Sequence, residues 1–522
     1  MPGKEPIMVK IRIDDRLLEA AEGSTVLKAA LAAGMDIPHF CFHPAFEPEG
    51  SCRMCLVEIE GAPKLELACS TRVKDGMNVL TSSPKVMEAR KEVLEFLLAE
   101  HPLDCPICDK AGECRLQDYY ERYGRFDARF REPKEKRDKI VPIGRRLLLD
   151  RERCILCTRC VRFLREVTGA GELGVFERGA RTEIGLYEDG RIDNAYSGNL
   201  AEICPVGAIT DTDFRFKTRT WFLERGASIC PHCGRGCNID IDFRLTTEQA
   251  VAERRIFRVR ARENAAVNGH WICDIGRYGH PYWTENRSRF VLMNKDAKTT
   301  RLSWDKALII LSEKIKGLCL RGKGGRLGLV LDSFLSNEEL YLIGRIFREA
   351  VDLGNFWFAD PKPQEADRLL LTAERSPNLR GARELGFESR PPDLKEIVKR
   401  IEVLLVIGSG LREAFAVGDV RKALDRVPAK FLFAAHTGPG DDAYDFLLPA
   451  ALIAEKPGSL TNTLGLVQEF QPVWRPPGEA RPEWEVLGDL ARELGSGEAW
   501  TDLTSIREAM AREYPFFKKS HE

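Results

Sequence analysis

The spacing of the cysteines constrains this chain more than any other feature of its sequence. Fifteen of its 16 cysteines lie between residues 41 and 273, and together with one histidine they form four groups of four potential ligands. We call these the first set (Cys41, Cys52, Cys55, Cys69), the second set (His101, Cys105, Cys108, Cys114), the third set (Cys154, Cys157, Cys160, Cys204) and the fourth set (Cys230, Cys233, Cys237, Cys273). Such grouped thiols predict small modules that fold around metal centres.

Length, charge and hydropathy set broad limits on the class of protein. At 522 residues the chain is too long for one core, so several domains are expected. Its 79 basic and 80 acidic residues leave a net charge of -1, which disfavours nucleic acid or an anionic membrane as a partner. No apolar run reaches the length of a membrane span, and the start lacks a secretory pattern, so we expect a cytoplasmic protein. In that reducing compartment, CxxC groups bind metals more often than they form disulfides.

The first and third sets have the spacing of iron–sulfur ligands rather than of a zinc site. In the first set ten, two and thirteen residues separate successive cysteines, and a loop closed by one distant thiol is typical of [2Fe-2S] ferredoxins. In the third set CILCTRC brings three thiols together, and Cys204 precedes a proline as in bacterial [4Fe-4S] ferredoxins. A two-cluster ferredoxin would carry its next cysteine at position 164, which is Leu164, so one cluster is expected here.

The second and fourth sets also favour iron. Three residues separate His101 from CPIC. An imidazole in place of a thiolate removes negative charge from the ligand set, which should raise the reduction potential of a cluster. The fourth set, CPHCGRGC followed by Cys273, contains Gly234 and Gly236, where the backbone could approach a cluster closely. A structural zinc ribbon is the alternative for this set.

Two glycine-rich stretches resemble nucleotide-binding motifs but depart from them where the chemistry matters. Gly408 and Gly410 follow an apolar run, yet Glu413 occupies the position of the third glycine of a dinucleotide fingerprint. The stretch 317–323 imitates a P-loop, but Gly324 stands where a serine or threonine would bind magnesium. We therefore expect neither a nicotinamide site nor a P-loop.

Hydrophobic patterning predicts the elements that carry the first two sets. Alternating apolar residues from Val9 to Ile13 predict a strand of a β-grasp domain. Ser83 and Pro84 are a good cap and first-turn pair for a helix that ends near Glu100 and leads into the second set. The highly charged stretch 120–139 is expected to be a surface excursion or linker.

The chain changes character after about residue 280. Strand-like runs at 328–332 and 403–408 alternate with helical segments such as SWDKALIILSEKIKG, which indicates α/β layering with parallel strands. Cys319, the one cysteine outside the four sets, lies between Leu318 and Leu320 and is expected to be a buried apolar residue.

Five stretches carry a specific family resemblance: CRMCLVEIEG, HPLDCPICDKAGECRLQDY, RCILCTRCVRF, GNLAEICPVGAIT and NAAVNGHWICDIGRYG. In wording and order they resemble the large iron–sulfur subunit of bacterial NADH:quinone oxidoreductase, respiratory complex I. The resemblance implies a [2Fe-2S] cluster at the first set and [4Fe-4S] clusters at the other three. It also implies that electrons arrive from an NADH/FMN-binding subunit and leave to a ferredoxin-like iron–sulfur subunit on the way to quinone. The chain would lie in the peripheral arm on the cytoplasmic side of the membrane, without a substrate site of its own.

The same resemblance implies a C-terminal domain similar to a shortened molybdopterin oxidoreductase. Molybdenum relatives place a lysine or arginine two residues after the last cysteine, whereas this chain has Asp274 and then Ile275. Leu464 and Leu466 replace the glutamate and arginine of a late motif. We therefore expect no molybdopterin. The resemblance itself implies that the fourth cluster lies off the main electron path.

The expected fold class is thus a multidomain α+β and α/β protein. Its expected domains are a β-grasp [2Fe-2S] ferredoxin-like domain (1–83), a helical His/Cys3 [4Fe-4S] module (84–124), a [4Fe-4S] ferredoxin-like module (140–218), a [4Fe-4S] domain of molybdopterin-oxidoreductase type (219–280) and a shortened molybdopterin-oxidoreductase-like α/β domain (281–522).

Three rival functions share parts of this pattern. A formate dehydrogenase of the molybdenum type has the same amino-terminal modules and would contain pterin. A relay subunit of an NAD-linked hydrogenase reuses them too, but the short kind ends near the third cluster and the long kind adds a cysteine-rich catalytic domain. A zinc-bound scaffold would contain zinc in place of iron.

Overall fold

The computed structural model describes residues 7–187, 190–245, 254–295, 298–348, 355–359, 363–408, 424–496 and 500–521. Gly410 and Glu413, which bear on the nucleotide-site prediction, lie outside these residues. The chain divides into two compact units, Met1–Leu223 (unit 1) and Glu224–Glu522 (unit 2). Each unit is described by itself.

Unit 1 begins with a mixed five-stranded sheet that carries one helix. In sheet order its strands are Arg16–Ala21, Met8–Ile13, Asn78–Leu80, Leu56–Ile59 and Glu66–Leu67, and the helix is Val26–Ala32. Met8–Ile13 pairs parallel with Asn78–Leu80, and the other pairs are antiparallel. Every second residue of the first strand is buried, and Ile11 and Ile13 pack against Val26 and Leu27 of the helix. This arrangement agrees with the β-grasp fold expected from the sequence.

The next elements lead into the second set. The helix Pro84–Glu100 begins at Ser83, whose hydroxyl accepts a hydrogen bond from the Val86 amide, as the cap prediction required. A short 3₁₀ turn, Cys105–Ile107, and a helix, Arg115–Tyr123, follow.

The stretch 120–139 only partly matches its prediction as a linker. Its first four residues are the last four of the helix Arg115–Tyr123. The helix extends this far because tyrosines 119 and 123 are buried one turn apart on the same helical face. The remainder has neither helix nor strand, but it is fastened to the helix Pro84–Glu100. Lys134 donates to the carbonyls of Leu98 and Ala99, and Arg129 pairs with Glu95.

The rest of unit 1 surrounds the third set with short elements. A three-stranded antiparallel sheet has the order Ile209–Asp211, Leu147–Leu149, Val141–Pro142, and Leu173–Phe176 pairs with Glu183–Leu186. The helical pieces are Arg151–Arg153, Arg159–Arg162, which continues as a wider π-helical turn over Phe163–Thr168, Asn199–Ile203 and Thr220–Phe222.

Unit 2 opens with an antiparallel sheet of three strands, Glu224–Ile229, Asn238–Leu245 and Arg254–Ala261. The helices Asp274–Tyr278 and Pro281–Thr284 follow. The fourth set lies along this stretch, with Cys230 and Cys237 at the ends of the first two strands.

A seven-stranded sheet forms the core of the remainder of unit 2. Its order is Lys298–Arg301, Leu292–Lys295, Phe446–Pro449, Ala429–Ala434, Val403–Ile407, Leu327–Asp332 and Phe356–Ala359, and the last five strands are parallel. The described helices are Trp304–Leu320, Asn337–Phe347, Leu379–Glu384, Leu394–Arg400, Glu483–Leu494 and Leu503–Glu513, with 3₁₀ turns at Gly324–Arg326, Asp441–Ala443, Ile453–Glu455 and Pro515–His521. A hairpin pairs Gly458–Thr461 with Val467–Phe470. These parallel strands agree with the predicted α/β layering.

The prediction that Cys319 is buried is wrong. Cys319 is exposed near the end of the helix Trp304–Leu320, and Leu320 is 89% exposed, whereas Leu318 is buried. Successive helical residues are rotated by about 100°, so the burial of one leucine does not extend to its neighbours. The helix Trp304–Leu320 runs into the stretch 317–323, whereas a P-loop would follow a strand.

The core of unit 2 contains charged side chains that are paired. The Lys456 ammonium lies 2.7 Å from Glu339 and 2.6 Å from Glu483, and all three side chains are buried. Arg287 forms two hydrogen bonds of 2.5 and 2.6 Å with the Glu455 carboxylate, and both side chains are also buried. No described helix is both long and apolar enough to span a bilayer.

Candidate metal centres

The four cysteines of the first set are buried in and after the loop that joins the helix Val26–Ala32 to the strand Leu56–Ile59. The thiol of Cys41 contacts those of Cys52 and Cys69, and the Cys55 thiol also contacts Cys69. These contacts lower the pKa of Cys41 and raise the pKa of Cys69, because one thiol of each pair donates to the other. The Phe40 amide donates to the Cys52 sulfur at 3.4 Å. The structure therefore brings this set together.

The second set lines a single cavity. His101 ends the helix Pro84–Glu100, Cys114 precedes the helix Arg115–Tyr123, and both cysteines of CPIC face the same space. Burial lowers the pKa of His101 to about 4, with a smaller contribution from Arg153, so the imidazole is neutral at neutral pH. Its Nδ1 atom is buried and has no hydrogen-bond partner among the residues that the structure describes. A neutral ring in a thiol-lined cavity suits metal binding.

Gly207 leaves room for the second set. A Cβ atom at this position would lie 2.3 Å from the Cys108 sulfur, so any side chain here would displace that thiol. Gly207 follows Cys204 of the third set by three residues. The wall of one cavity therefore comes from the loop of another ligand set.

The third set occupies a tightly curved loop. Leu156 and Thr158, on either side of Cys157, have φ values of 53° and 56°, in the left-handed region that few non-glycine residues adopt. Burial, with a smaller contribution from the Cys204 thiol, raises the pKa of Cys157 to about 11. Cys154 is affected in the same way by burial and by Cys157, which raise its pKa to about 12. The loop thus turns its thiols towards one buried region, where a bound metal would hold them as thiolates.

The fourth set is held by the first two strands of unit 2 and by one helix. The Cys230 amide donates to the Cys237 carbonyl at 2.8 Å, which closes the CPHCGRGC loop. Cys273 begins the helix Asp274–Tyr278, and a Cβ atom at Gly276 would lie 3.0 Å from the Cys230 sulfur. Burial raises the pKa of Cys273 to about 11.

The two glycines of the fourth set leave room for a neighbouring hairpin. A Cβ atom at Gly234 would lie 2.7 Å from Thr463, and one at Gly236 would lie 2.7 Å from Gln468. Both neighbours belong to the hairpin region 458–470. These glycines therefore allow the hairpin to pack against the loop. Leu464 and Leu466, at the turn of this hairpin, are exposed.

Within the described parts of the chain, no three His, Cys, Asp or Glu side chains converge on one point as a single metal ion would need. A cluster is held differently, since each of its thiolates binds its own iron. The residues fit such a group through the buried neutral His101, the space left by Gly207 and the buried thiols of each set.

The sequence interpretation missed two arginines next to the ligands. Arg159 and Arg162 interleave with the cysteines of CTRCVR, and both are buried. Two arginines at a spacing of three in a ligand loop were a signal that could have found them, because that spacing places both on one helical face.

Comparison with protein families matches four parts of the chain. The matched models are a 2Fe-2S iron-sulfur cluster binding domain (7–84), an NADH-ubiquinone oxidoreductase-G iron-sulfur binding region (90–129), a ferredoxin-like domain of NADH-quinone oxidoreductase subunit 3 (144–210) and molybdopterin oxidoreductase (419–493). The chain thus contains iron–sulfur binding domains at its amino-terminal end and a molybdopterin-oxidoreductase-type domain at its carboxyl-terminal end, which confirms the expected fold class.

The similar proteins agree with these domains. The NADH-quinone oxidoreductase G subunit of Rickettsia felis is 35% identical over 434 residues, which cover 83% of this chain and 60% of that protein. The corresponding protein of Streptomyces coelicolor is 36% identical over 88% of this chain and 53% of its own length. That of Rickettsia conorii is 29% identical over 98% of this chain and 91% of its own length. The chain spans only about half to three-fifths of the length of the first two.

A solved chain of an NAD+-reducing [NiFe]-hydrogenase is also similar in part. It is 34% identical, covers 41% of this chain and 91% of its own length, and has a TM-score of 0.38. The family matches and the bacterial relatives together identify the wider relationship: this chain belongs to the family of NADH-quinone oxidoreductase G subunits.

Proposed function

We propose that the chain is an electron-relay subunit of an NADH-quinone oxidoreductase, which passes single electrons derived from NADH towards quinone. The observation that carries this proposal is the cavity of the second set, where a neutral buried imidazole and three thiols face one space. The named relatives are subunits of such an enzyme. On this proposal the chain has an enzymatic role only as part of a larger complex.

The four sets are the proposed ligands of four clusters. The first set would hold one [2Fe-2S] cluster, and the second, third and fourth sets would each hold one [4Fe-4S] cluster. Bound clusters would supply carriers that accept and release one electron at a time. The chain's own contribution is to hold the thiols, to exclude water from them by burial, and to keep neighbouring sets close together.

Contacts between the ligand loops of unit 1 support a relay. Arg159 joins the first and third sets, because it donates to the carbonyls of Phe42 and Ile203. Lys110, within the second set, donates to the Ala201 carbonyl at 3.3 Å, close to Cys204 of the third set. The third set therefore adjoins both of the others, and an electron could move among them without leaving unit 1.

The fourth set and the α/β domain have a different proposed role. The fourth cluster would lie off the main path, and the α/β domain would act as a scaffold without molybdopterin. This is supported by Ile275, two residues after Cys273, where molybdenum relatives place a lysine or arginine between cluster and pterin, and by the acidic residue Asp274 before it. The proposed partners are an NADH/FMN-binding subunit and a ferredoxin-like iron–sulfur subunit, in a peripheral arm on the cytoplasmic side of the membrane.

Metal analysis with low-temperature EPR on anaerobically purified protein tests this proposal. One binuclear centre and three cubanes correspond to about fourteen irons per chain. Stoichiometric zinc with no reducible centre would reject the relay in favour of a scaffold. Extracted pterin would support the formate dehydrogenase alternative, and hydrogen-dependent reduction of NAD by the purified native complex would support the hydrogenase alternative.

A substitution tests the assignment of the second set. We predict that His101→Cys retains a [4Fe-4S] cluster but lowers its midpoint potential, because a thiolate adds negative charge where a neutral ring now lies. The measurement is an EPR-monitored redox titration, with the third-set signal as an internal reference. An unchanged second-set potential in a fully loaded variant would exclude His101 as a ligand.

A further inference from the structure

Two buried arginines lie between the first and third sets. Arg159 and Arg162 form the ends of the short helix that contains Cys160, and they are only 7% and 3% exposed. A guanidinium group stays charged at every pH at which proteins fold. Burial of such a charge costs several kcal/mol unless an opposite charge compensates it. The source of that compensation is therefore a functional question.

Arg159 has no carboxylate partner among the residues that the structure describes. Its two terminal nitrogens donate to the carbonyls of Ile203, at 3.2 Å, and Phe42. Its Nε atom is buried and has no hydrogen-bond partner in the described part of the chain. Ile203 precedes Cys204 of the third set, and Phe42 follows Cys41 of the first set. The negative groups that act on Arg159 are thiols of these two sets, those of Cys157, Cys204 and Cys41.

Arg162 joins the same two sets but shares its charge with a carboxylate. It donates to the carbonyls of Cys41 and of Cys157, the latter at 3.3 Å. Its Nε atom lies 3.1 Å from a carboxylate oxygen of Glu49, a partly exposed residue. The guanidinium also stacks at 5.2 Å from the Phe46 ring centroid. Glu49 therefore offsets part of one of the two buried positive charges.

We propose that Arg159 and Arg162 form a cationic bridge that raises the reduction potentials of the centres at both the first and the third set. This inference rests on the proposed function, since it requires clusters at both sets. When a centre accepts one electron its negative charge increases by one unit, with no bond made or broken. A fixed positive charge nearby stabilises that reduced form, and the low dielectric of a buried site strengthens the effect. The bridge thus favours arrival of the electron at both sets.

The test must distinguish the effect of the arginine charge on the potentials from the effect of the hydrogen bonds that the arginines donate. Arg162→Gln removes the charge but keeps a donor, and Arg162→Lys keeps the charge but loses the planar fork. Arg165→Gln is the matched control, because Arg165 lies in the following turn, is 65% exposed and pairs with Glu166. Glu49→Gln removes the offsetting negative charge and leaves both arginines unsubstituted.

The experiment is an anaerobic redox titration of the full chain, reduced with dithionite and followed by EPR. Arg162→Gln should decrease the reduction equilibrium constant of both centres about tenfold, a shift of about 59 mV for a one-electron couple. Arg162→Lys should retain most of the wild-type potential, and Arg165→Gln should match wild type. Glu49→Gln should shift both potentials in the opposite direction, upwards.

Three outcomes would overturn the bridge. They are unchanged potentials in a loaded Arg162→Gln variant, equal shifts in the Gln and Lys variants, and a Glu49→Gln shift that is absent or downward. If the Arg162 variants fail to assemble, the sign of the Glu49→Gln shift decides. Absence of both signals from the wild-type protein would instead reject the proposed function, so the two failures are distinguishable.

Discussion

Unit 1 and unit 2 differ in the groups that contact their buried positive charges. In unit 2, Lys456 contacts two buried carboxylates, and Arg287 contacts Glu455. In unit 1, Arg159 is buried against carbonyls and thiols and, among the described residues, pairs with no carboxylate. The difference teaches that unit 2 places carboxylates beside these buried cations, whereas the described negative groups that act on Arg159 in unit 1 are thiols.

Arg153 shows that a buried arginine of unit 1 can have carboxylate partners. It is also buried in unit 1, close to Cys108, but it pairs with Asp104 at 2.7 Å and with Asp150 at 3.2 Å. A conventional ion pair was therefore possible elsewhere in the same unit. Arg159 therefore differs from Arg153, although both are buried in unit 1.

Removal of iron should give the largest effect and break the comparison most directly. Metal binding to such sites is coupled to folding. Chelation under reducing, anaerobic conditions should therefore abolish hydrogen-exchange protection around residues 41–69, 101–114 and 154–204. The strands Leu327–Asp332 and Val403–Ile407 of unit 2 should stay protected, since their core needs no metal. Equal loss of protection in both units would contradict the contrast.

Lys456→Met should have the next largest effect, confined to unit 2. It leaves Glu339 and Glu483 buried without their cation, and breaking a buried pair costs about 3–5 kcal/mol. The matched control is Lys323→Met, because Lys323 pairs with Glu402 at 3.6 Å on the surface, where solvent leaves such a pair little net stabilisation. Native-state hydrogen exchange in the strand Leu327–Asp332 measures both. A loss no greater than the control would show that the buried pair is dispensable.

The stability of unit 2 should decrease at alkaline pH through Glu483. The pKa of Glu483 is raised from 4.5 to about 8, mainly by burial and then by the neighbouring Glu339, with Lys456 acting in the opposite direction. The folded state therefore binds more protons than the unfolded state between these values. Its contribution to stability is complete below about pH 4.5 and is lost as the pH rises through about 8.

Thermal unfolding followed from pH 5 to pH 9 measures this dependence. Glu483→Gln should flatten the decline that wild type shows, because the amide does not titrate. A variant with the same slope as wild type would assign the pH dependence to other groups.

The smallest effect is expected for Cys319→Ser. This cysteine is exposed and lies outside the four sets, so its replacement should change stability by less than about 0.5 kcal/mol and leave the iron content unchanged. Cys157→Ser is the contrasting variant and should reduce the iron content. Iron loss from Cys319→Ser would mean that the sets have been assigned incorrectly.

Local sequence patterns predicted the elements whose causes are local. The cap at Ser83, the alternation from Val9 to Ile13 and the parallel strand at 403–407 were all found from residues close together in the chain. Spacing also predicted which closely spaced cysteines of each set share a loop. These features depend on hydrogen bonds and burial within a few residues.

The remainder depends on contacts that spacing does not encode. The hydrogen bond from Arg159 to Phe42 spans 117 residues, and that from Arg162 to Cys41 spans 121. Left-handed backbone at Leu156 and Thr158 is imposed by the loop, since neither residue favours it. The exposure of Cys319 was missed because composition was read without the helical rotation that separates it from Leu318.

Gly207 also has a consequence for how the protein matures. The four residues of the second set all leave the ribosome well before Gly207, which completes the wall beside Cys108. Without residues 204–208 in place, the cavity of the second set would be open on that side. If the second set holds a cluster as proposed, the folding of the third loop would therefore enclose a cofactor held by its neighbour.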